Sequence, residues 1–206
     1  SEAYLIGVIL GDGYVSTAVD LEDSQKNSRF VMITDENEER LRYYADCAAP
    51  AFGVRGLIRE RSERQRLYLN SINLVDFLSR LFPSVLKKSP KRYVEPSLFL
   101  QAPNVRAAFL RGFFDAEGTL AGHAVEFLTS SLQLAKQVKL MLSYWGIRAR
   151  LQTYWQESHR IAGKILKEGE YYRLILNGKD ALLFSKHIGF SCRTKQRKLE
   201  QLVLQE

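Results

Sequence analysis

A short apolar segment that occurs twice, about half the chain apart, constrains this fold more than any other feature of the sequence. The first copy runs from Leu5 to Gly13 and the second from Leu110 to Gly118. Each copy has the composition of a buried helix, and each ends in an acidic residue followed by glycine. Because internal repetition marks repeated structural units, the chain is predicted to fold as two related halves.

Four further blocks follow each copy of the segment in the same order. Chance similarity would not preserve that order, whereas the loops between packed elements change length freely. Each half therefore reads as helix, two strands, helix, two strands, helix (αββαββα), and the predicted fold class is α+β. The matched blocks are Val31–Thr34 with Glu126–Thr129, Gly53–Arg55 with Gly146–Arg148, Leu67–Asn70 with Leu174–Asn177, and Phe77–Ser79 with Phe184–Ser185.

The repeat and the prolines predict the domain organisation. Residues 1–82 form the N-terminal half, 83–104 a linker and 105–206 the C-terminal half. The linker contains Pro83, Pro90, Pro96 and Pro103, and proline blocks both helix interiors and central strands. Predicted helices cover residues 2–11, 36–48, 72–82, 105–116, 131–144, 178–188 and 194–204. Predicted strands cover 13–19, 28–34, 54–61, 64–70, 118–121, 124–130, 147–156 and 171–177.

Small residues at a spacing of four, Gly7 with Gly11 and Gly112 with Ala116, predict that the two repeated helices pack closely on each other. The acids that follow, Asp12 and Glu117, would then emerge side by side at two helix C-termini. Two carboxylates repel each other there and also meet the negative end of each helix dipole. A divalent cation such as Mg²⁺ removes both objections, with the carbonyl oxygens of Gly11 and Ala116 as further ligands. The alternative is that both acids are solvated helix ends.

A hairpin in the first half is predicted to carry arginine on one face only. A two-residue turn at Ser62 and Glu63 places alternate residues of the two strands on the same side. A polyanion lying on this face would turn the repulsion between its arginines into binding. The alternative is a solvated face, in which Lys and Glu would be mixed among the arginines. The residues on this face are Arg55, Leu57, Arg59, Arg61, Arg64, Arg66, Tyr68 and Asn70.

The second half repeats the hairpin with more varied polar side chains. Arg, Gln and Asn can read base edges in the major groove, which admits a two-stranded ribbon. Double-stranded DNA is therefore the predicted partner of both hairpins. The candidate residues here are Arg148, Arg150, Gln152, Tyr154 and Gln156 on one strand, with Tyr171, Arg173 and Asn177 on the other.

Composition excludes several other classes of protein. The chain has 30 Lys and Arg against 23 Asp and Glu, a net charge of +7, which is a weak indication of nucleic acid. No apolar run is long enough to span a membrane. Two cysteines and three histidines indicate a reduced intracellular protein without a zinc site. A small-molecule phosphohydrolase is disfavoured because the sequence lacks a phosphate-binding Gly-rich loop.

The two copies of the repeated segment, Leu5–Gly13 and Leu110–Gly118, resemble without gaps the nine-residue motif of the LAGLIDADG homing endonucleases. The resemblance implies a monomer of two pseudo-symmetric halves whose antiparallel sheets form a saddle over duplex DNA. It further implies cleavage of a long, nearly palindromic site across the minor groove, leaving 3′ overhangs. Asp12 and Glu117 would bind two or three divalent ions, Mg²⁺ in the first place, with Mn²⁺ or Ca²⁺ able to substitute.

The resemblance also implies basic residues near the scissile phosphates, and Lys88 with Lys195 are the symmetric candidates. Lys91 and Lys198 are expected to contact phosphates, and Tyr14 and Ser16 of the first strand are expected to contact DNA. The positions that often hold Gln or Lys in active relatives are Asp35–Glu36 and Ser130–Ser131 here. Asp35 is instead expected to cap the helix that begins near Glu36.

Some alternatives stay open. A non-cleaving DNA- or RNA-binding protein of the same fold, such as an intron maturase or a regulator, is the second interpretation. Retention of both motif acids argues against it, because loss of either acid is the shortest route to inactivity. An intron, an intein and a free-standing gene are all compatible origins, and so are the cytoplasm and a DNA-containing organelle.

Overall fold

Two four-stranded antiparallel sheets with the same arrangement of strands dominate the fold. The computed structural model describes residues 1–18, 28–61, 64–161, 164–166 and 168–204. The helices are α1 (Glu2–Asp12), α2 (Glu38–Phe52), α3 (Ile72–Leu81), α4 (Pro96–Phe99), α5 (Pro103–Glu117), α6 (Leu132–Ser143), α7 (Gly178–His187) and α8 (Arg193–Val203). The strands are β1 (Gly13–Ala18), β2 (Ser28–Thr34), β3 (Gly56–Arg61), β4 (Arg64–Asn70), β5 (Thr119–Ala121), β6 (Ala124–Thr129), β7 (Arg150–Gln156), β8 (His159–Ile161), β9 (Lys164–Leu166) and β10 (Gly169–Asn177).

The sheet topology confirms the predicted fold class. The first sheet has the order β1-β2-β4-β3 and the second has the order β5-β6-β10-β7. These orders are equivalent, because β10 is the fourth repeat strand of its half once the additional β8–β9 hairpin is set aside. The chain therefore has the predicted α+β architecture of two pseudo-symmetric αββαββα halves. Among the described helices, none is long and apolar enough to cross a membrane.

By their internal contacts, the residues form two compact units that are each discontinuous in sequence. The first unit combines Ser1–Lys87 with Leu100–Ala116, and the second combines Lys88–Phe99 with Glu117–Glu206. Helix α5 of the second repeat thus packs mainly with the first unit. The linker predicted at residues 83–104 divides the chain according to the sequence repeat, whereas these two units are defined by contacts. The predicted domain boundaries therefore stay a prediction.

Helices α1 and α5 pack against each other inside the first unit through glycine. A Cβ atom on Gly7 would lie 2.1 Å from the carbonyl oxygen of Phe109, and one on Gly112 would lie 1.9 Å from the carbonyl oxygen of Tyr4. Both distances are far inside van der Waals contact with rigid backbone, so only glycine fits either position. The predicted close approach of the two repeated helices is confirmed at these residues.

The β3–β4 hairpin has the predicted register. Leu57 pairs with Tyr68, Arg59 with Arg66 and Arg61 with Arg64. The opposite face supplies the core, and Leu67 and Leu69 are fully buried. The turn at residues 62 and 63 lies outside the described residues, as does the side chain of Arg61.

The second sheet corrects one detail of the predicted repeat. Met32 pairs with Tyr14 and Tyr68 in the first sheet. Glu126 occupies the corresponding place in the second sheet, where it pairs with Thr119 and Ile175. The sequence comparison aligns Met32 with Phe127 instead of Glu126. This alignment is wrong by one residue, because the hairpins of the two halves differ in length. The one-residue change matters because it moves each side chain to the other face of the sheet.

Asp35 has a different role from the one predicted. Helix α2 begins at Glu38 with Asn37 as its N-cap, and the Asn37 side chain accepts a hydrogen bond from the backbone N–H of Arg40. The Asp35 carboxylate accepts from the backbone N–H of Asn37 at 2.8 Å. It also forms an ion pair with Arg40. Asp35 therefore orders the turn before the cap, and its charge is compensated by Arg40.

The predicted linker is ordered, since residues 83–86 and 89–91 form 3₁₀ turns and α4 follows. Its prolines lie in the first turns of helical elements, Pro103 at the start of α5 and the others in shorter ones, where the missing N–H costs nothing. Within the second unit, the Ser131 hydroxyl donates to the carbonyl of Arg92 at 2.6 Å. The Gln137 side chain bonds both the N–H and the carbonyl of Val94, at 2.8 and 3.0 Å. These bonds attach the former linker to helix α6.

Candidate metal and nucleic-acid sites

Each repeated helix ends on a half-exposed carboxylate. Asp12 is the last residue of α1 and Glu117 is the last residue of α5, and a sheet strand begins within two residues of each acid. At the end of α1 the N–H of Gly13 donates to the carbonyl of Ile9. A Cβ atom on Gly13 would lie 2.5 Å from that carbonyl oxygen, so a larger residue would displace the strand that follows Asp12. The motif glycine therefore fixes the position of the acid.

The candidate metal ligands at these two helix ends are all oxygen atoms. Gly11 and Ala116, the predicted backbone ligands, immediately precede the two acids in the last helical turns. Carboxylate and carbonyl oxygens suit a hard divalent cation such as Mg²⁺ or Ca²⁺ better than a soft one. Across the described part of the chain, no three His, Cys, Asp or Glu side chains form a metal-binding group. Neither Cys47 nor Cys192 forms a disulfide with a described residue.

A buried polar pair that the sequence did not reveal lies within the helix packing of the first unit. The Tyr4 hydroxyl donates to the Asp115 carboxylate at 2.7 Å, and both side chains are buried. Burial and the neighbouring Asp115 charge raise the pKa of Tyr4 well above its usual range, so the hydroxyl stays protonated and can donate. Asp115 is two residues before Glu117, whereas the corresponding place before Asp12 is taken by Leu10. The first motif therefore has no carboxylate at the position that Asp115 occupies in the second.

Tyr44 is the buried neighbour of this pair. Its ring centroid is 6.2 Å from that of Tyr4, and its side chain is 1% exposed. Burial, with Asp35 and Asp115 nearby, raises the pKa of Tyr44 as well. No hydrogen-bond partner for its hydroxyl is found among the described residues. Two adjacent buried tyrosines thus differ in whether their hydroxyl group is bonded.

The first sheet brings most of the predicted DNA-binding side chains together on one face. Arg59 is exposed, and Arg64, Arg66 and Tyr68 are half-buried. Within the described residues, the Nε atom of Arg66 has no hydrogen-bond acceptor. Arg66 therefore has one buried N–H that no described residue satisfies, while its side chain stays partly exposed on this face.

The remaining candidates of the first half lie at the margins of this face. Arg55 is exposed but precedes β3, which begins at Gly56. Tyr14 is 56% exposed, whereas Ser16 is 6% exposed and has little side-chain surface to offer a ligand. Asn70 ends β4 and is exposed.

The second sheet places its candidates in a matching register but with different contacts. Gln152 pairs with Arg173, and Tyr154 pairs with Tyr171, their rings stacked at 6.3 Å. The guanidinium of Arg173 forms an ion pair with Glu126, and its Nε donates to that carboxylate at 2.7 Å. Part of the positive charge of this face is therefore compensated within the protein.

The margins of the second face resemble those of the first. Arg150 and Asn177 are exposed on the strands β7 and β10. Arg148 precedes β7, just as Arg55 precedes β3, and its backbone N–H donates to Asp180 at 2.7 Å. Asp180 lies on α7, so this bond connects the start of the second hairpin to the helix that follows it.

The predicted phosphate-contacting lysines lie on dissimilar local structures. Lys88 is exposed and extended, directly before the 3₁₀ turn that Lys91 ends. Lys195 lies in the first turn of α8, with its Nζ atom 5.7 Å from the centroid of the Phe190 ring. Lys198 follows one turn later and is exposed. The symmetry between Lys88 and Lys195 stays a prediction from the sequence repeat.

This architecture defines the class to which the chain is similar, the LAGLIDADG proteins. The family model described as a LAGLIDADG-like domain matches residues 104–189. The structure of I-DmoI in complex with DNA and Mn has the same fold, with a TM-score of 0.65 and 20% sequence identity. The match covers 91% of this chain and 94% of that one. The predicted resemblance to the LAGLIDADG homing endonucleases is therefore confirmed.

Several curated proteins that are much longer than this chain contain a segment similar to it. Glutamine–fructose-6-phosphate aminotransferase of Methanocaldococcus jannaschii is 27% identical over 97% of this chain, which corresponds to 17% of that protein. The replication factor C small subunit of the same organism is 25% identical over 98% of this chain, or 10% of that protein. The chain thus spans less than a fifth of either relative.

Proposed function

We propose that this chain is a site-specific endonuclease that makes a metal-dependent double-strand cut in DNA. The observation that carries the proposal is the pair of acids, Asp12 and Glu117, each at the end of a helix in a glycine-packed pair. Neither acid is needed to close its helix, since glycine follows in both cases. A carboxylate at a helix C-terminus lowers stability, so its presence at both repeat positions favours a chemical role.

The residues present fit a divalent metal site. Asp12 and Glu117 would hold the ions, with the carbonyl oxygens of Gly11 and Ala116 as further ligands, and we propose two or three Mg²⁺ ions. I-DmoI has been solved with DNA and Mn and with DNA and Ca, and a single-residue variant of it has been solved with its target DNA in the presence of Mg. Metal ions bound in such sites activate water and stabilise the leaving oxygen of a phosphodiester. No histidine lies in either motif to act as a base.

The two arginine-bearing sheets would bind double-stranded DNA. Lys91 and Lys198 would add phosphate contacts, while Lys88 and Lys195 would stabilise negative charge near the scissile phosphates. One chain carries both motifs, so a monomer supplies both acids. The proposed target is long and pseudo-palindromic, with cleavage across the minor groove that leaves 3′ overhangs.

A non-cleaving DNA- or RNA-binding protein is the second candidate. It shares the sheets and their arginines, so binding alone does not separate the two functions. Leu10 in place of Asp115 indicates that the two motifs are free to diverge. The persistence of an acid at both Asp12 and Glu117 therefore favours cleavage.

We further propose that the chain belongs to a mobile element, with an intein as the favoured origin. Nearly the whole chain matches segments of an aminotransferase and of a replication factor, two proteins whose activities have nothing in common. A module that recurs inside unrelated proteins behaves as an insert. Detection of a spliced host protein by mass spectrometry, when the complete natural gene is expressed, would support the intein origin, and an intact unspliced product would contradict it.

The endonuclease is tested by selection for cleaved sites from a random plasmid library. Purified chain with Mg²⁺ should linearise a small set of plasmids that share one long sequence. The matched control is the same incubation with EDTA, which should yield none. Recovery of no common sequence with either Mg²⁺ or Mn²⁺ present would contradict the proposal.

A further inference from the structure

The first sheet carries a continuous apolar row on the same face as its arginines. The register places Tyr14 of β1 opposite Met32 of β2, Met32 opposite Tyr68 of β4, and Tyr68 opposite Leu57 of β3. The row therefore crosses all four strands of the sheet. Phe30 widens it, because its ring is 6.3 Å from that of Tyr14 and 5.6 Å from that of Tyr68.

Both ends of this apolar row are open to solvent. Tyr14 is 56% exposed and Leu57 is 42% exposed. The aromatic and methionine side chains between them are half-buried. Contiguous apolar surface of this kind marks an interaction site more often than a single exposed hydrophobic residue does.

The corresponding row of the second sheet is mostly polar. It consists of Thr119, Glu126, Ile175 and Arg150 in the same register. The two sheets share strand order and pairing, so the fold does not require the apolar row. Its side chains are therefore free to serve whatever lies on the first face.

The arginines beside the row favour a polyanion as that ligand. Arg59 and Arg66 form the next cross-strand pair along the hairpin, and Arg61 and Arg64 form the one after. Apolar side chains flanked by arginines on an exposed sheet suit the major groove of duplex DNA, where the C5-methyl group of thymine is the apolar feature of the base edges. A second protein copy would instead bring like charges together.

We propose that the apolar row of the first sheet recognises thymine methyl groups, so that one half of the target is selected for thymine and the other is read by polar contacts. This inference rests on the proposed DNA-binding function and specifies its recognition chemistry. Tyr14 and Leu57 are the residues with the most surface available for such contacts. Arg150 and Gln152 would make the hydrogen-bonded contacts of the other half.

Replacement of thymine by deoxyuridine tests the proposal, because it removes only the C5-methyl group. The probe is the duplex selected by the wild-type chain, bound in Ca²⁺, with uracil placed in one half-site at a time. Each contacted methyl group should contribute about fourfold in affinity. Substitution in one half-site should weaken binding by this factor per contacted thymine, and substitution in the other should leave it unchanged.

The variant Leu57→Ala assigns the effect to the apolar row. This variant should bind the thymine-containing duplex more weakly than the wild type does. Its further loss of affinity on deoxyuridine substitution should be smaller than that of the wild type, since the effects of contacting groups are not additive. Leu182→Ala is the matched control, because Leu182 is 51% exposed and lies on α7 outside the sheet. It should retain the full response to deoxyuridine.

Three results would overturn the inference. One is equal sensitivity of the two half-sites, and another is a deoxyuridine effect that Leu57→Ala leaves intact. The third is a dimer, detected by sedimentation, that Leu57→Ala dissociates, since the row would then contact a second copy. All three leave the endonuclease standing. Failure to select any duplex sequence would instead contradict the proposed function itself.

Discussion

The two sheets of this protein have the same strand order and register but expose different chemistry. In the first, Arg66 lies beside an apolar row, and its Nε has no acceptor among the described residues. In the second, the corresponding Arg173 is paired with Glu126, which occupies the place of Met32. Backbone pairing is thus conserved between the halves where the exposed side chains are not, so scaffold and recognition are separable in this fold.

The largest effect is expected where the two halves must be alike. Gly7→Ala or Gly112→Ala would place a methyl group about 2 Å from a backbone carbonyl of the facing helix. Overpacking of this kind costs about 3 kcal/mol, and a backbone contact cannot relax as a side chain can. The midpoint of urea unfolding should fall accordingly for both variants.

Gly53→Ala is the matched control for this prediction. Gly53 has a φ of 67°, and a Cβ atom there would meet no other atom of the described residues within 4 Å. Only the backbone conformation is therefore penalised, by about 1 kcal/mol. A loss for Gly53→Ala as large as that for Gly112→Ala would contradict the steric account of the helix pair.

The next largest effect on stability is expected at the buried Tyr4–Asp115 pair, whose carboxylate occurs in the second motif only. Tyr4→Phe removes the hydroxyl that donates to the buried Asp115 carboxylate and should lower the free energy of unfolding by about 2 kcal/mol. Tyr44→Phe should change it by less than about 0.5 kcal/mol, because the Tyr44 hydroxyl has no partner in the described part of the chain. Chemical unfolding of the two variants compares two adjacent buried tyrosines directly.

Giving the second motif the apolar residue of the first tests the Tyr4–Asp115 pair further. The double variant Tyr4→Phe with Asp115→Leu replaces both partners by apolar groups, as Leu10 does in the first motif. Such a replacement is close to neutral, so the double variant should recover most of the stability lost in Tyr4→Phe. A double variant less stable than Tyr4→Phe would contradict this account of the pair.

The smallest effects are expected from substitutions of charged residues on the two sheet faces. These substitutions should change DNA affinity in opposite directions. Arg66→Ala should weaken duplex DNA binding about fivefold and reduce the slope of affinity against salt by about 1. Glu126→Gln should strengthen binding and steepen the slope, because it releases Arg173. Glu168→Gln, at an exposed acid, is the control for loss of one negative charge. Equal slopes for Arg66→Ala and Glu126→Gln would contradict the assigned contacts.

The repeat made most of the fold predictable, because matched elements and a two-residue turn fix strand pairing. The β3–β4 register follows directly from the alternation of Arg59, Arg64 and Arg66 with Leu67 and Leu69. The β8–β9 hairpin was not predicted, since it has no counterpart in the first half. The match of Met32 to Phe127 failed because sequence similarity alone does not fix hairpin length.

The contacts of the candidate site were harder to predict than its residues. The Tyr4–Asp115 bond joins residues 111 positions apart, and no local pattern announces it. Asp35 is a preferred N-cap residue type, but Asn37 is equally suitable, and in the structure Asn37 caps the helix while Asp35 pairs with Arg40. Residues that act through local periodicity were therefore predictable, whereas pairings across the core required the structure.

Single substitution of each motif acid tests the central claim most directly. On the selected target, Asp12→Asn and Glu117→Gln should each abolish double-strand cleavage in Mg²⁺ while binding in Ca²⁺ stays within about threefold of wild type, given that each change removes a charge and preserves shape. Asp76→Asn, at an exposed acid paired with Arg29, should cleave normally. Double-strand cleavage at the wild-type rate by Asp12→Asn and Glu117→Gln would contradict the account.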